Sequence, residues 1–210
     1  MTLKFKEYED IPLGNPPAGE VICQVRFAPL LEITQNLPTQ FQREIRTRFP
    51  NFALTQNVGL GGGQPLPNEY AFNSSDNLST ASLGTNFIAY TTREYSHWKS
   101  FISEVKFLLK AFTTSYGIIL STRIGLRYIN EITLDSTNTE SIEDLLSILN
   151  GDLRCLLINS AWSLPRKAVF QLSIPDSNNE FTLRLGLDQE PRTRVIPNFC
   201  AKFGGYQILC

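Results

Sequence analysis

Arg123-Ile124-Gly125-Leu126-Arg127 sets two guanidinium groups either side of a glycine, in a segment that alternates strictly from Thr122 to Ile132. As a strand it sends Ile124, Leu126, Tyr128, Asn130 and Ile132 to one face and Arg123, Gly125, Arg127, Ile129 and Glu131 to the other. The two arginines then stand about 13 Å apart. That span is too wide to grip one small carboxylate. It suits an extended anion, such as a nucleotide or an oligonucleotide backbone, for which the planar guanidinium fork is well matched. Arg26 and Arg184 lie in other alternating segments and extend the same positive row if their strands join this sheet. Arg26, Arg123, Arg127 and Arg184 are therefore the candidate ligand-binding residues. The competing reading is internal salt bridging, with Glu131 on the same face or with Glu104 or Glu143 from a helix.

Other chemistries find less support. His97 is the only histidine, which removes a two-histidine metal site and any pair of imidazoles. It flanks an apolar helical stripe beside Trp98, and no G-x-S-x-G motif supplies it with a nucleophile. Gly61-Gly62-Gly63 precedes neither a lysine-serine nor a lysine-threonine pair, so it reads as a loop and not a phosphate cradle. Glu140, Glu143 and Asp144 gather where a helix should begin, the place the helix dipole favours acids. Tyr128 and Asn130 fall on the apolar face, where they need hydrogen-bond partners in a core network. No catalytic residue, metal or cofactor is expected.

The composition bounds the rest. A chain of 210 residues can bury about 70% of its unfolded surface, so one core needs no staples. Nineteen basic and twenty acidic residues give a net charge of −1, so any anion binding must rest on a local patch. The longest apolar runs, such as Phe107-Leu108-Leu109, are far short of a membrane span. The first ten residues carry acids and no apolar signal core. Cys23, Cys155, Cys200 and Cys210 form no metal-binding spacing, and Cys23 and Cys155 fall in expected strands as reduced thiols. A cytoplasmic location is the expectation.

Elements follow from periodicity. Residues 1–19, rich in proline and glycine, read as an extended arm. Glu20 to Phe27 alternates as a strand. Asn36 and Pro38 open a helix with Phe41, Ile45 and Phe49 as its stripe, and Pro50 ends it. Residues 52–60 admit a strand, and short strands are expected at 70–72, 78–83 and 86–92. Thr91-Thr92-Arg93-Glu94 has the form of a capping box. After it Tyr95, Trp98, Ile102, Val105, Leu109, Phe112 and Tyr116 repeat as one helical stripe, closed by Gly117. A short helix near 140–149 carries Ile142, Leu145, Leu146 and Leu149, and strands are expected at 153–160, 167–174 and 180–188. The predicted class is α+β, a mainly antiparallel sheet packed against a long amphipathic helix. Arg184-Leu185-Gly186-Leu187 echoes Arg123-Ile124-Gly125-Leu126, which raises an arrangement of two related β-α-β-β units.

Several of these stretches resemble a sporadically distributed family of bacterial proteins of uncharacterised function. They are Asn15-Pro16-Pro17 leading into Glu20 to Phe27, Phe41-Gln42 through Phe49-Pro50, Tyr95-His97-Trp98-Phe101, and the string from Arg123 to Asn130. The likeness covers about residues 14–190. It implies an accessory trait, such as a component of a defence or toxin-linked locus, and supplies no reaction. Members of that family continue with an apolar-acidic strand and a final helix. Residues 197–210 do not look like that strand, so the single domain over 1–210 is expected to have an aberrant or truncated end. The functional expectation is a non-catalytic binding or accessory protein engaging a protein partner or an extended anion, without membrane contact. One alternative is an enzyme acting on nucleotides or nucleic acid, with His97 or a carboxylate as base. Another is a structural subunit of a homo-oligomer.

Overall fold

The computed structural model describes residues 18–55, 69–133, 141–147, 151, 154–155, 167–176, 179–188 and 194–208. The N-terminal arm up to residue 17 and the glycine run at 61–63 lie outside the described residues. The chain is an α+β protein. One antiparallel sheet of ten strands carries a 19-residue helix on its apolar face.

The first half opens with β1 (Ala18–Phe27), in which Val21, Cys23, Val25 and Phe27 point into the core. Two short helices follow, α1 (Leu31–Gln35) and α2 (Thr39–Ile45). The sequence suggested one helix opened by Asn36. Asn36 instead closes α1, its N–H bonding to the Glu32 carbonyl, and Pro38 caps α2. The stripe of Phe41, Ile45 and Phe49 is buried as read, although the helix itself stops short of Phe49. Then come β2 (Asn51–Thr55), β3 (Glu69–Asn73), β4 (Ser79–Gly84) and β5 (Phe87–Thr92). The turn between β3 and β4 is built by Ser74, whose hydroxyl donates to Asp76 and accepts the Ser79 N–H at 3.0 Å, with Asn77 at φ +59°.

Helix α3 (Trp98–Tyr116) begins later than its sequence signals suggest. Thr91 and Thr92 belong to β5, and Thr92 Oγ1 accepts the Glu94 N–H at 3.1 Å in a local turn, so the capping box does not form. The buried stripe is also rotated. Phe101, Val105, Leu108, Ala111 and Phe112 face the sheet, while Trp98 is 47% exposed and Ile102 and Leu109 flank the contact. Gly117, at φ +81°, terminates the helix as expected, since that conformation strains any residue with a Cβ.

The second half repeats the plan. β6 (Leu120–Asn130) and the two-residue β7 (Ile132–Thr133) lead to α4 (Ile142–Ser147). Asp144 accepts from the Ser141 hydroxyl at 2.7 Å and returns its N–H to the same oxygen at 3.1 Å. Ser141 therefore caps the helix, and Asp144 sits in its first turn, as its position suggested. β8 (Lys167–Asp176), β9 (Asn179–Asp188) and β10 (Arg194–Ile208) complete the chain. One expectation needs correcting. Arg154 and Cys155, read as part of a strand, are helical, and Cys155 is exposed. β10 is a long strand that pairs with β6 on one side and β9 on the other.

The strand order β2-β3-β4-β5-β1-β6-β10-β9-β8 explains the architecture. In each half a leading strand (β1 or β6) is followed by helix and then by a meander whose last strand returns to pair with the leader. The two leaders join antiparallel at the middle. The two halves thus share a coarse order of elements on either side of the β1–β6 pair, with four meander strands in the first and three in the second. Arg184 lies on β9, a meander strand, so its echo of Arg123 on a leading strand does not mark equivalent positions.

Phe112 is fully buried, its ring 4.9 Å from Phe27 and 5.2 Å from Tyr116. Phe112→Ala should cost about 3–5 kcal/mol in denaturant unfolding. Trp98→Ala, at the exposed end of the expected stripe, should cost under about 1 kcal/mol.

Candidate functional site

β6 fulfils the facing expected of it. Ile124, Leu126 and Tyr128 pack on the core beneath α3, and Arg123, Gly125 and Arg127 therefore turn to the opposite face. The Tyr128 hydroxyl lies 3.3 Å from that of Tyr95, the polar pairing its apolar surroundings require. Burial and that hydroxyl contact push the Tyr128 phenol well above its ordinary range.

Register then assembles what no local pattern shows. Arg26 on β1 stands directly opposite Arg123, Gln24 opposite Gly125, and Ile22 opposite Arg127. The Gln24 side-chain carbonyl accepts from both arginines, from Arg26 Nε at 3.1 Å and from an Arg123 terminal nitrogen at 3.2 Å. One amide oxygen holds two cations on adjacent strands. Arg123 Nε is buried and has no hydrogen-bond partner among the described residues, an expensive position for a guanidinium N–H. Neither Arg26 nor Arg123 forms an ion pair with a described carboxylate. Glu104, one of the acids in the salt-bridging reading, is on α3 and pairs with Arg48 at 2.7 Å.

The same rows continue across the sheet. From Gly125 and Gln24 the pairing runs to Ala89, Ser82, Ala71 and Ala53, all small beyond Gln24. This is a shallow trough that crosses the strands. One bank carries Arg123, Arg26 and Phe87, and the Phe87 ring lies so close over Gly84 that a Cβ there would meet it at 2.3 Å. The other bank carries Arg127, Ile22, Thr91 and Thr80. The trough spans five strand spacings, roughly 24 Å. Among the described residues, a Cβ on Gly125 would touch only the Gln24 backbone carbonyl, at 3.8 Å.

Arg184 is exposed and, through Asn198, shares a row with Ile129, so it stands on this face two strands from Arg127. It extends the positive surface past the trough and is no part of the Gln24 cluster. Gln24, Phe87 and the alanine-serine row were missed by sequence reasoning. Their signal is in the pairing of five strands, not in any one of them. His97 is exposed at the head of α3, its Nδ1 3.0 Å from the Ser96 hydroxyl. Among the described residues no group of three His, Cys, Asp or Glu is placed to hold a metal. No described helix is long and apolar enough to cross a membrane.

Beneath the trough, Cys23 is buried and its thiol is pushed up to about 11 by desolvation. Its folded value exceeds the ordinary 9.0, so its contribution to stability is complete below that value and is lost as pH climbs through about 11. Peptide-level mapping should find Cys23 unalkylated in native protein at mildly alkaline pH and alkylated after unfolding. For the cluster above it, Gln24→Leu should cost about 1 kcal/mol in the native background. The cost should shrink with added salt, which screens the two cations from each other, and fall near zero when Arg26 and Arg123 are both leucine.

No protein-family model matches the chain, and no curated protein matches its sequence significantly.

Proposed function

We propose that the open sheet face binds an extended polyanion and that single-stranded nucleic acid is the class it fits best. The observation that carries this reading is the Arg26–Gln24–Arg123 cluster, two cations without a described carboxylate partner on the bank of a floor made of small residues. Two cations held side by side by one amide oxygen cost stability unless a ligand uses them. The trough's length accommodates several linked phosphates, and its banks present guanidinium donors at the spacing of an extended backbone. Phe87, beside Arg26, offers a base a ring to lie against, the combination on which strand-binding surfaces rely. A duplex is too broad for a groove two residues wide. The role we propose is that of a binding or accessory protein, since no histidine or cysteine is among the described side chains placed on the trough's floor or banks.

A labelled oligonucleotide titrated by fluorescence anisotropy at several salt concentrations tests this. Binding should weaken with salt at about 0.7 logarithmic units per neutralised phosphate. Arg26→Gln together with Arg123→Gln should lower the slope by about one to one and a half and weaken binding at least about tenfold. Gly125→Leu, which fills the floor, should block binding while the melting transition is kept. Equal binding by all three proteins, or none by the parent chain, removes the proposal.

A further inference from the structure

On the other side of the sheet, α2 buries Phe41 and Ile45 and turns a polar face outward. Thr39, Gln42, Arg43 and Arg46 lie there, with Arg43 and Arg46 three residues apart, and with Thr47 and Pro50 they line an open cleft of about 660 Å³. The neighbouring cation is already engaged. Arg48 pairs with Glu104 at 2.7 Å and lies 4.0 Å over the Phe107 ring. Arg43 and Arg46 are exposed, have no ion pair with any described carboxylate, and no acid is among the described residues lining the cleft. Because α2 packs with α3 on the apolar side, this cleft is separate from the arginine trough.

We propose that the cleft binds a small phosphorylated sugar. Two guanidinium groups one helical turn apart, with about 5–6 Å between their Cβ atoms, can converge on a single phosphate and match its charge and its three acceptor oxygens. The remaining lining decides what the phosphate is attached to. Thr39 and Thr47 supply hydroxyls and Gln42 an amide, each both donor and acceptor, which is the chemistry that pairs with sugar hydroxyls. No aromatic ring is among the described lining residues, so a nucleobase has nothing to stack on. The volume lies within the range of small-molecule sites.

Ribose 5-phosphate, ribose and inorganic phosphate, each titrated into the isotope-labelled full chain and followed by amide chemical shifts, test the proposal. Ribose 5-phosphate should bind most tightly, inorganic phosphate more weakly and ribose not measurably, with shifts at Thr39, Arg43, Arg46 and Thr47. Arg43→Gln plus Arg46→Gln should weaken ribose 5-phosphate at least about tenfold while the melting transition is retained, since both side chains are exposed. Arg26→Gln plus Arg123→Gln should leave it unchanged, which separates this cleft from the trough. Binding that survives the first pair or is lost in the second overturns the proposal. So does an inorganic phosphate affinity equal to that of ribose 5-phosphate, or the absence of binding at millimolar concentrations.

Discussion

The pairing of β1 with β6 is the constraint from which the other features follow. It is antiparallel, it sits at the centre of the sheet, and it joins two halves that otherwise make their own meanders. Its register sets Val21, Cys23 and Val25 beside Tyr128, Leu126 and Ile124 on the apolar face. By the period of two, it must then set Ile22, Gln24 and Arg26 beside Arg127, Gly125 and Arg123 on the other. A slip of one residue would turn one leader over, bury its polar side chains under α3 and expose its apolar row, so the register is strongly held by burial. The arginine cluster is a by-product of that hydrophobic choice.

The two faces divide the work. On the apolar side α2 and α3 cover β1 and β3 to β6 with aromatic contacts that link helix and sheet: Phe27 with Phe112, Phe41 with Phe72, Tyr90 with Phe101. This packing is rigid and needs no ligand. On the other side, small side chains in successive strands leave the backbone close to the surface, and the cations project from either bank. A wide sheet is a natural place for such a trough, because side chains in register form straight rows across strands and a row of small residues is automatically a channel.

Placing cations on both sides of the molecule is compatible with a net charge of −1. Several acids serve in helix starts, turns and pairs: Asp144 in the first turn of α4, Asp76 in the β3–β4 turn, Glu104 on Arg48, and Glu20 near Arg93. The local fields at Arg26–Arg123 and at Arg43–Arg46 therefore stand against a background that neither attracts nor repels polyanions as a whole. The two sites differ in geometry: a long row on one face, a compact cleft on the other.

Local periodicity determined a good deal by itself. The alternation of β1 and β6, the facing of their arginines, the strands at 70–92 and the stop at Gly117 could be read from the sequence, because each depends on neighbours within a few residues. Tertiary structure decided the rest. The stripe of α3 rotated because Phe101 and Leu108 are buried against the core while Trp98 is left exposed. Residues 194–208 became a central strand because β6 and β9 both needed a neighbour, whatever the segment's own composition. Gln24 and Arg123 are 99 residues apart in the chain, and the trough draws on six strands. Side-chain direction is a local property of backbone geometry, whereas register is a long-range choice made by burial, and only register brings these residues into one site.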